Sequence, residues 1–495
     1  MTARPTGLVA GLLLLAGCAV GPRYRAEPVV PAETRVGSPG TADSSRAFFD
    51  SLEAARRADS TTPALPTPRV VSADSLADLA WVEVLHDSTM LQLIRTALRQ
   101  NRNVQAAIGR IREYRADLGI SRGPLLPSLT LNGSASTNQV AIGSFPPTSY
   151  DAFRITGDIA WELDFWGRLR RGVQAAQADL GAQEANERAV VLSLVGDVAT
   201  GYLQLLELDQ EYAIASQTLA SRRSTLALAR ERYARGLSSE VDVRQFEAQV
   251  AAPAARLAQV ERLRAQTEHR LNTLLGEAPA PIARGGSLDA AVERLVVPDS
   301  LPSSLLSRRP DVAQAEREYA AATARIGAAS AARLPTFSIT GSYGSQAPRT
   351  GTLFTSGAEV YQLLGGVSVP LFTGGRLRNQ VEAARARAEQ ARAHYEQAVL
   401  AALGEVGDAL AGIRTTRDQV VAQRTQVSAL RKAAELSEVR YRAGVTSFIE
   451  VLDAERSLFD AQVALSQAEL TQVTAAVDLY KALGGSWEVA SPASH

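Results

Sequence analysis

Two kinds of hydrophobic periodicity alternate along the chain. From Asp87 to about Arg122, Leu91, Ile94, Leu98, Val104, Ala107, Ile108, Ile111 and Leu118 recur at helical spacing. Pro124 and Pro127 end that pattern, and strict alternation follows: Leu129, Leu131, Gly133 and Ala135 on one face, Thr130, Asn132, Ser134 and Ser136 on the other. After a Gly/Pro loop at 143–147, a second run sets Phe153, Ile155, Gly157, Ile159, Trp161 and Leu163 against Arg154, Thr156, Asp158, Ala160 and Glu162. A proline-free stretch from Arg168 to Tyr233 then predicts a helix of roughly 100 Å at 1.5 Å per residue. The return helix, Glu240 to Leu275, is about half as long, and Pro253 is expected to kink it.

The whole scheme occurs twice. Arg232-Tyr233-Ala234-Arg235-Gly236-Leu237-Ser238-Ser239 is matched by Arg440-Tyr441-Arg442-Ala443-Gly444-Val445-Thr446-Ser447, an offset of 208 (441 − 233). At the same offset Leu126-Pro127-Ser128 matches Leu334-Pro335-Thr336, Gly167-Arg168-Leu169-Arg170 matches Gly375-Arg376-Leu377-Arg378, and Leu275-Gly276 matches Leu483-Gly484. The protein is an internal duplication. Helices are expected at Pro310 to Ala332, Arg376 to Tyr441 and Phe448 to Leu483. Strands are expected around Phe337, Ile339, Gly341 and Tyr343, and around Leu363, Gly365, Val367, Val369 and Leu371. Gly236 and Gly444 interrupt long helical patterns, and the Ser or Thr that follows suits the cap of a returning helix, so each stretch reads as the tip of a helical hairpin. The segments are a leader (1–17), an N-terminal arm (18–80), a first repeat (81–283), a Pro/Gly-rich linker (284–306), a second repeat (307–487) and a tail (488–495). Within the arm, a short helix is expected at Arg46 to Arg57 and a loop over 58–75.

Strands of about ten residues with one apolar and one polar face have the signature of an outer-membrane barrel. The alternative is a water-soluble hairpin packed on a helix. No uninterrupted apolar run of about 20 residues follows Cys18, so any spanning part is expected to be β. Trp161 and Tyr150 suit a membrane interface. Four strands cannot close a barrel, and an open edge in lipid leaves backbone groups unsatisfied at several kcal/mol each. An oligomer must close it: two chains would give a filled barrel of eight strands, three a lumen of twelve. One long helix beside two half-length ones, hanging from each hairpin, reads as a tunnel wall.

Composition changes the picture at one end of the chain. Lys plus Arg and Asp plus Glu both number 52, so nothing points to nucleic acid. Cys18 is the single cysteine, and it follows Arg4, the apolar run Leu8 to Leu15 and the small residues Ala16 and Gly17. Leu15-Ala16-Gly17-Cys18 resembles a bacterial lipoprotein cleavage box, which implies that Cys18 carries lipid; the alternative is a plain signal peptide with an incidental cysteine. Ala19 resembles the residue of lipoproteins sorted to the outer membrane. No cofactor is expected beyond that lipid. His86, His269, His394 and His495 form no metal-ligand spacing. Gly119-Ile120-Ser121-Arg122-Gly123 matches a nucleophile elbow in letters only, since it ends a helix, and an enzyme is not expected.

Taken together the residues resemble the outer membrane factors, the TolC-like exit ducts, and within them the lipoprotein branch typified by OprM and NodT. The motifs are Gly17-Cys18-Ala19-Val20-Gly21-Pro22-Arg23-Tyr24, Trp161-Glu162-Leu163-Asp164-Phe165-Trp166-Gly167-Arg168 and Leu371-Phe372-Thr373-Gly374-Gly375-Arg376. The resemblance implies a mainly α homotrimer in the outer membrane. Its twelve-stranded barrel, with four strands per chain, would continue into a long α-helical periplasmic barrel. It implies a duct passively exporting small molecules such as drugs, a periplasmic adaptor (membrane fusion protein) docked on Gly236, Leu237, Ser238, Gly444, Val445 and Thr446, and an inner-membrane transporter of the RND type. Glu450 and Asp453, three apart on one helix face, resemble the acidic rings of the family's aperture; the alternative is a solvated face with Asp453 paired to Arg456. Asp242 and Tyr441 match positions that tie neighbouring helices together in closed members. Thr446 stands where some members carry Arg, which implies a weaker latch. A periplasmic coiled-coil adaptor or scaffold without a pore, and a duct for secreted protein, are the alternative functions.

Overall fold

The structure, a computed structural model, describes residues 19–25, 29–30, 35–37, 51, 87–140, 147–288, 300–302 and 308–485. Cys18, the loop at 58–75, residues 141–146, all but one residue of the expected helix at Arg46 to Arg57, and the tail after Gly485 lie outside the described residues.

The elements in order are β1 (Arg35–Gly37), α1 (Ser88–Gln100), α2 (Arg102–Arg122), β2 (Ser128–Val140), β3 (Thr148–Leu163), α3 (Arg168–Ala234), α4 (Glu240–Leu275), β4 (Ser300–Pro302), α5 (Pro310–Ala331), β5 (Thr336–Ala347), β6 (Glu359–Ser368), α6 (Arg376–Arg442) and α7 (Phe448–Ala482). The long helices α3 and α6 are each continuous over 67 residues. α4 runs through Pro253, which is buried inside it. The chain divides into two units, one of 1–27, 108–186 and 313–398, the other of 28–107, 187–312 and 399–495.

The first unit holds a four-stranded antiparallel sheet in the order β2-β3-β5-β6. Leu129 faces Ile159 and Leu131 faces Gly157 across β2 and β3, and Phe337 faces Val367 across β5 and β6, so each apolar face meets an apolar face. Leu129, Leu131, Leu363 and Val367 are exposed on that face. The polar face carries Asn132 donating to Asp158, with Thr156 and Arg154 beside it. β2 and β6 are the two edges, and among the described residues neither pairs with a further strand. At the end of β3, Asp164 accepts the N–H groups of Leu169 and Arg170 at 3.0 and 2.8 Å, satisfying the first turn of α3. Phe165 packs edge-on against Phe337 with centroids 4.8 Å apart, and Trp166 Nε1 donates to the Pro335 carbonyl at 2.7 Å. Residues 19–21 are stitched to the same junction, and Tyr24 to α5. The Val20 N–H donates to the Trp166 carbonyl at 3.1 Å, Arg171 donates to the Gly21 carbonyl at 3.1 Å, and the Tyr24 hydroxyl donates to Glu316 at 3.0 Å.

The second unit is built on Met90 and Ile94 of α1, Val195, Val198, Tyr202 and Leu203 of α3, Leu271 and Leu275 of α4, and Val473 and Val477 of α7. α3 contains a window long and apolar enough to cross a membrane by length and composition, and most of that window is buried. Residues of α1, α4 and α7 pack against it in this core.

One expectation is corrected: the helix expected over Asp87 to Arg122 is two helices. Asn101 takes an extended conformation and accepts the N–H groups of Asn103 and Val104 at 2.9 and 3.2 Å, capping α2. Its Nδ2 donates to the Leu274 carbonyl at 2.8 Å. The repeat of Asn101 is Arg309 (101 + 208), directly before Pro310, so only the second copy marks the break with proline. The duplication extends to contacts. Gly276 and Gly484 both have positive φ, 75° and 83°; a Cβ on Gly276 would run into the backbone of Gln100, and one on Gly484 would crowd the backbone of Arg308, the repeat mate of Gln100, and of Arg309. The linker contributes β4, which pairs antiparallel with β1 of the arm.

Candidate functional site

The hairpin tips close in the same way. Gly236 has φ 72°, its N–H donates to the Tyr233 carbonyl at 2.9 Å, and the Leu237 N–H donates to Arg232 at 2.9 Å. Gly444 has φ 74°, with the matching bonds to Tyr441 at 3.0 Å and from Val445 to Arg440 at 2.9 Å. This is the glycine-ended helix stop in which two orphan carbonyls are satisfied together. Leu237 and Val445 project from the turns, each 68% exposed. Ser238 and Thr446 are half-buried. One turn further on, Val241 and Ile449 are also exposed. These two apolar residues were missed in the sequence, although the i, i+4 spacing from Leu237 and Val445 was there to be read.

The tips differ in how the return helix begins. At the first, Ser239 Oγ accepts the Asp242 N–H at 3.3 Å and Asp242 Oδ2 accepts the Ser239 N–H at 2.9 Å, a reciprocal cap. Asp242 therefore serves its own helix. Its repeat mate is Glu450 (242 + 208), where Ser447 makes no side-chain cap bond and the Glu450 side chain is exposed. Asp453, also exposed, pairs with Arg456 at 2.7 Å. Tyr441 lies under the Arg232 guanidinium, and with Val250 and Leu452 it borders a cluster of Leu226, Ala229, Val243, Phe246 and Val451. Within one chain the structure thus brings Tyr441 to the first hairpin, whereas Asp242 is engaged in its own turn.

Higher in the same unit, α3, α4, α6 and α7 bury charge. Glu211 pairs with Arg256, and Glu469 takes Arg424 at 2.8 Å and Gln210 at 3.2 Å. Glu207 is 4% exposed and its Oε1 has no hydrogen-bond partner among the described residues. Burial, with the Glu211 carboxylate one turn away, pushes its carboxyl up to about 7. This cluster was not read from the sequence, because its members lie on four different helices.

The sequence profile of the family described as outer membrane efflux protein matches residues 93–277 and again 301–485. Both limits are separated by 208 (301 − 93 and 485 − 277), so the family match carries the duplication too. The toluene efflux pump outer membrane protein TtgC of Pseudomonas putida is 35% identical over 424 residues, covering 84% of this chain and 87% of the relative. The solvent efflux pump outer membrane protein SrpC of Pseudomonas putida is 37% identical over 419 residues, covering 82% and 87%. Among solved structures, the outer-membrane channel OprN superposes with a TM-score of 0.80 at 29% identity, over 95% of this chain and all of that one. The open state of the MtrE outer membrane channel of Neisseria gonorrhoeae gives 0.78 at 30%, over 94% and 98%. The sheet and paired helices are those of the TolC-like trimeric channels. The chain belongs to the outer membrane efflux protein family and is the outer-membrane channel of an efflux system.

Proposed function

We propose that three copies form one duct, in which each chain supplies four strands to a barrel of twelve. The duct would pass small molecules delivered by an inner-membrane transporter of the RND type through a periplasmic adaptor. The observation that carries this reading is the amphipathic sheet whose two edge strands have no further partner among the described residues, an arrangement lipid cannot tolerate unless other copies cover the edges. The adaptor docks on Gly236, Leu237, Ser238, Gly444, Val445 and Thr446, where exposed apolar side chains sit on glycine-closed turns. Glu450, Asp453 and Tyr441 at the second hairpin end, with Asp242 at the first, line the aperture, and adaptor docking spreads these helices.

Cys18 carries the lipid. Support comes from its neighbours, since Ala19, Val20 and Gly21 are held against the strand-to-helix junction at the end of β3. The chemistry is binding and gating, and the energy comes from the partner pump. The test is drug tolerance in a bacterium stripped of its own exit ducts but supplied with a compatible adaptor and pump. The intact chain restores tolerance, whereas Leu237→Asp with Val445→Asp does not while remaining trimeric in the outer membrane. Full tolerance in that double variant would remove the tips as the docking site.

A further inference from the structure

The duplication carries through to the register of the strands. The two hairpins keep one register: Leu129 faces Ile159 in the first, and their repeat mates Phe337 and Val367 face each other in the second. The seam between the hairpins, β3 to β5, pairs Ile159 with Gly341 and Ala160 with Thr340. Translating β3 forward and β5 back by one repeat turns it into a seam between β6 of one copy and β2 of another. Ile159 and Gly341 become Val367 and Gly133 (159 + 208, 341 − 208), and Ala160 and Thr340 become Ser368 and Asn132.

We propose that β6 of each chain pairs antiparallel with β2 of the next chain, Gly365, Gly366, Val367 and Ser368 facing Ala135, Ser134, Gly133 and Asn132 respectively. This rests on the trimeric reading above and adds the register to it.

Side-chain shape supports it independently. At Gly341 a Cβ would lie 3.0 Å from Cγ2 of Ile159, so that glycine makes room for the branched residue across the seam. Its repeat mate Gly133 has nothing within 4 Å of the same position in the single chain, and Val367, the mate of Ile159, is 63% exposed. The vacancy and the branched side chain are each present on opposite edges, waiting for one another. A slip of one residue would put the apolar face of β6 beside the polar face of β2. A slip of two would place Val367 opposite Leu131 or Ala135 and leave Gly133 unfilled. The correspondence stops at Ser136, the mate of Gly344, where a Cβ in the inner seam would collide with the Ile155 carbonyl. The strict register therefore applies to the four pairs named.

The test is disulfide cross-linking of the full chain in outer membranes, with native mass measured on the same preparations. Ser368→Cys with Asn132→Cys, and Val367→Cys with Gly133→Cys, sample both kinds of antiparallel site. Ala160→Cys with Thr340→Cys and Ile159→Cys with Gly341→Cys are the same geometries within one chain, and the single substitutions expose any bridge through Cys18. Expected are covalent dimers and trimers from whichever intermolecular pair matches the intrachain pair that oxidises. Ser368→Cys with Ser134→Cys or Thr130→Cys should stay at least tenfold less linked. A trimeric mass with linking only in a shifted pair, or in none while the intrachain control oxidises, overturns the register. A monomeric mass overturns the trimeric reading instead.

Discussion

The Arg232 guanidinium carbon lies 5.3 Å from the centroid of the Tyr441 ring, joining the last turn of α3 to the last turn of α6. A cation over an aromatic face at a half-exposed site contributes about 0.5–1 kcal/mol. With Val451 buried among Leu226, Ala229, Val243 and Phe246, it holds the two hairpin ends of one chain together. Tyr441→Ala is expected to loosen this end and raise single-channel conductance, whereas Tyr441→Phe, which keeps the ring face, is expected to raise it less. Equal conductance in all three would detach Tyr441 from the gate.

Asp242 and Glu450 occupy the same repeat position but make different contacts. Asp242→Ala removes half of a reciprocal cap and is expected to cost about 1 kcal/mol of stability. Glu450→Ala, with no such cap to lose, is expected to change stability by less than about 0.5 kcal/mol. Thermal unfolding of both variants checks the contrast.

Arg309 ties three pieces of chain together. Its guanidinium meets Asp311 at 2.7 Å, Glu405 at 2.6 Å and the Ala482 carbonyl at 3.0 Å, and its side chain is 6% exposed. Arg309→Ala is expected to cost about 2 kcal/mol, through the lost hydrogen bonds and the buried carbonyl left without its donor. Glu405→Ala, whose side chain is 59% exposed, is expected to cost at most about 1 kcal/mol. Denaturant midpoints separate the two.

The buried Glu207 gives a pH dependence of definite sign. Glu211 lies one turn away on α3, Arg256 approaches from α4 and Ser466 from α7, while Glu469 of α7 is held by Gln210 and by Arg424 of α6. Its folded carboxyl sits at about 7, above an ordinary value near 4.5, so the folded state holds a proton that the unfolded chain has released. Stability from this group falls as pH rises from about 4.5 through about 7 and stays low above. Glu207→Gln is expected to remove that slope and to raise the melting temperature more at pH 8 than at pH 5. An identical shift at both values would place the charge elsewhere.

Much of this was legible because the chain states its plan twice. Period-two alternation located all four long strands and their faces, and the paired Gly-Leu-Ser-Ser and Gly-Val-Thr-Ser stretches located both turns. The break at Asn101 was missed, since an asparagine can sit in a helix and only the second copy substitutes Arg309-Pro310. Strand β6 ends at Ser368, short of the expected Leu371, with Pro370 lacking the N–H needed for one side of a ladder. The buried charges around Glu207 were invisible because they converge from helices far apart in sequence. The unequal caps at Asp242 and Glu450 depend on a side-chain hydrogen bond that the similar letters conceal.

A gated pore narrowed by the acidic side chains of Glu450 and Asp453 has a direct electrical signature: single-channel conductance of the purified protein in planar bilayers, read beside native mass on the same sample. Expected are a trimeric mass and small, cation-selective currents that grow and lose selectivity in Glu450→Gln with Asp453→Asn. A trimer whose conductance and selectivity are unchanged by that double substitution would contradict the gate, and a monomer without current would contradict the pore.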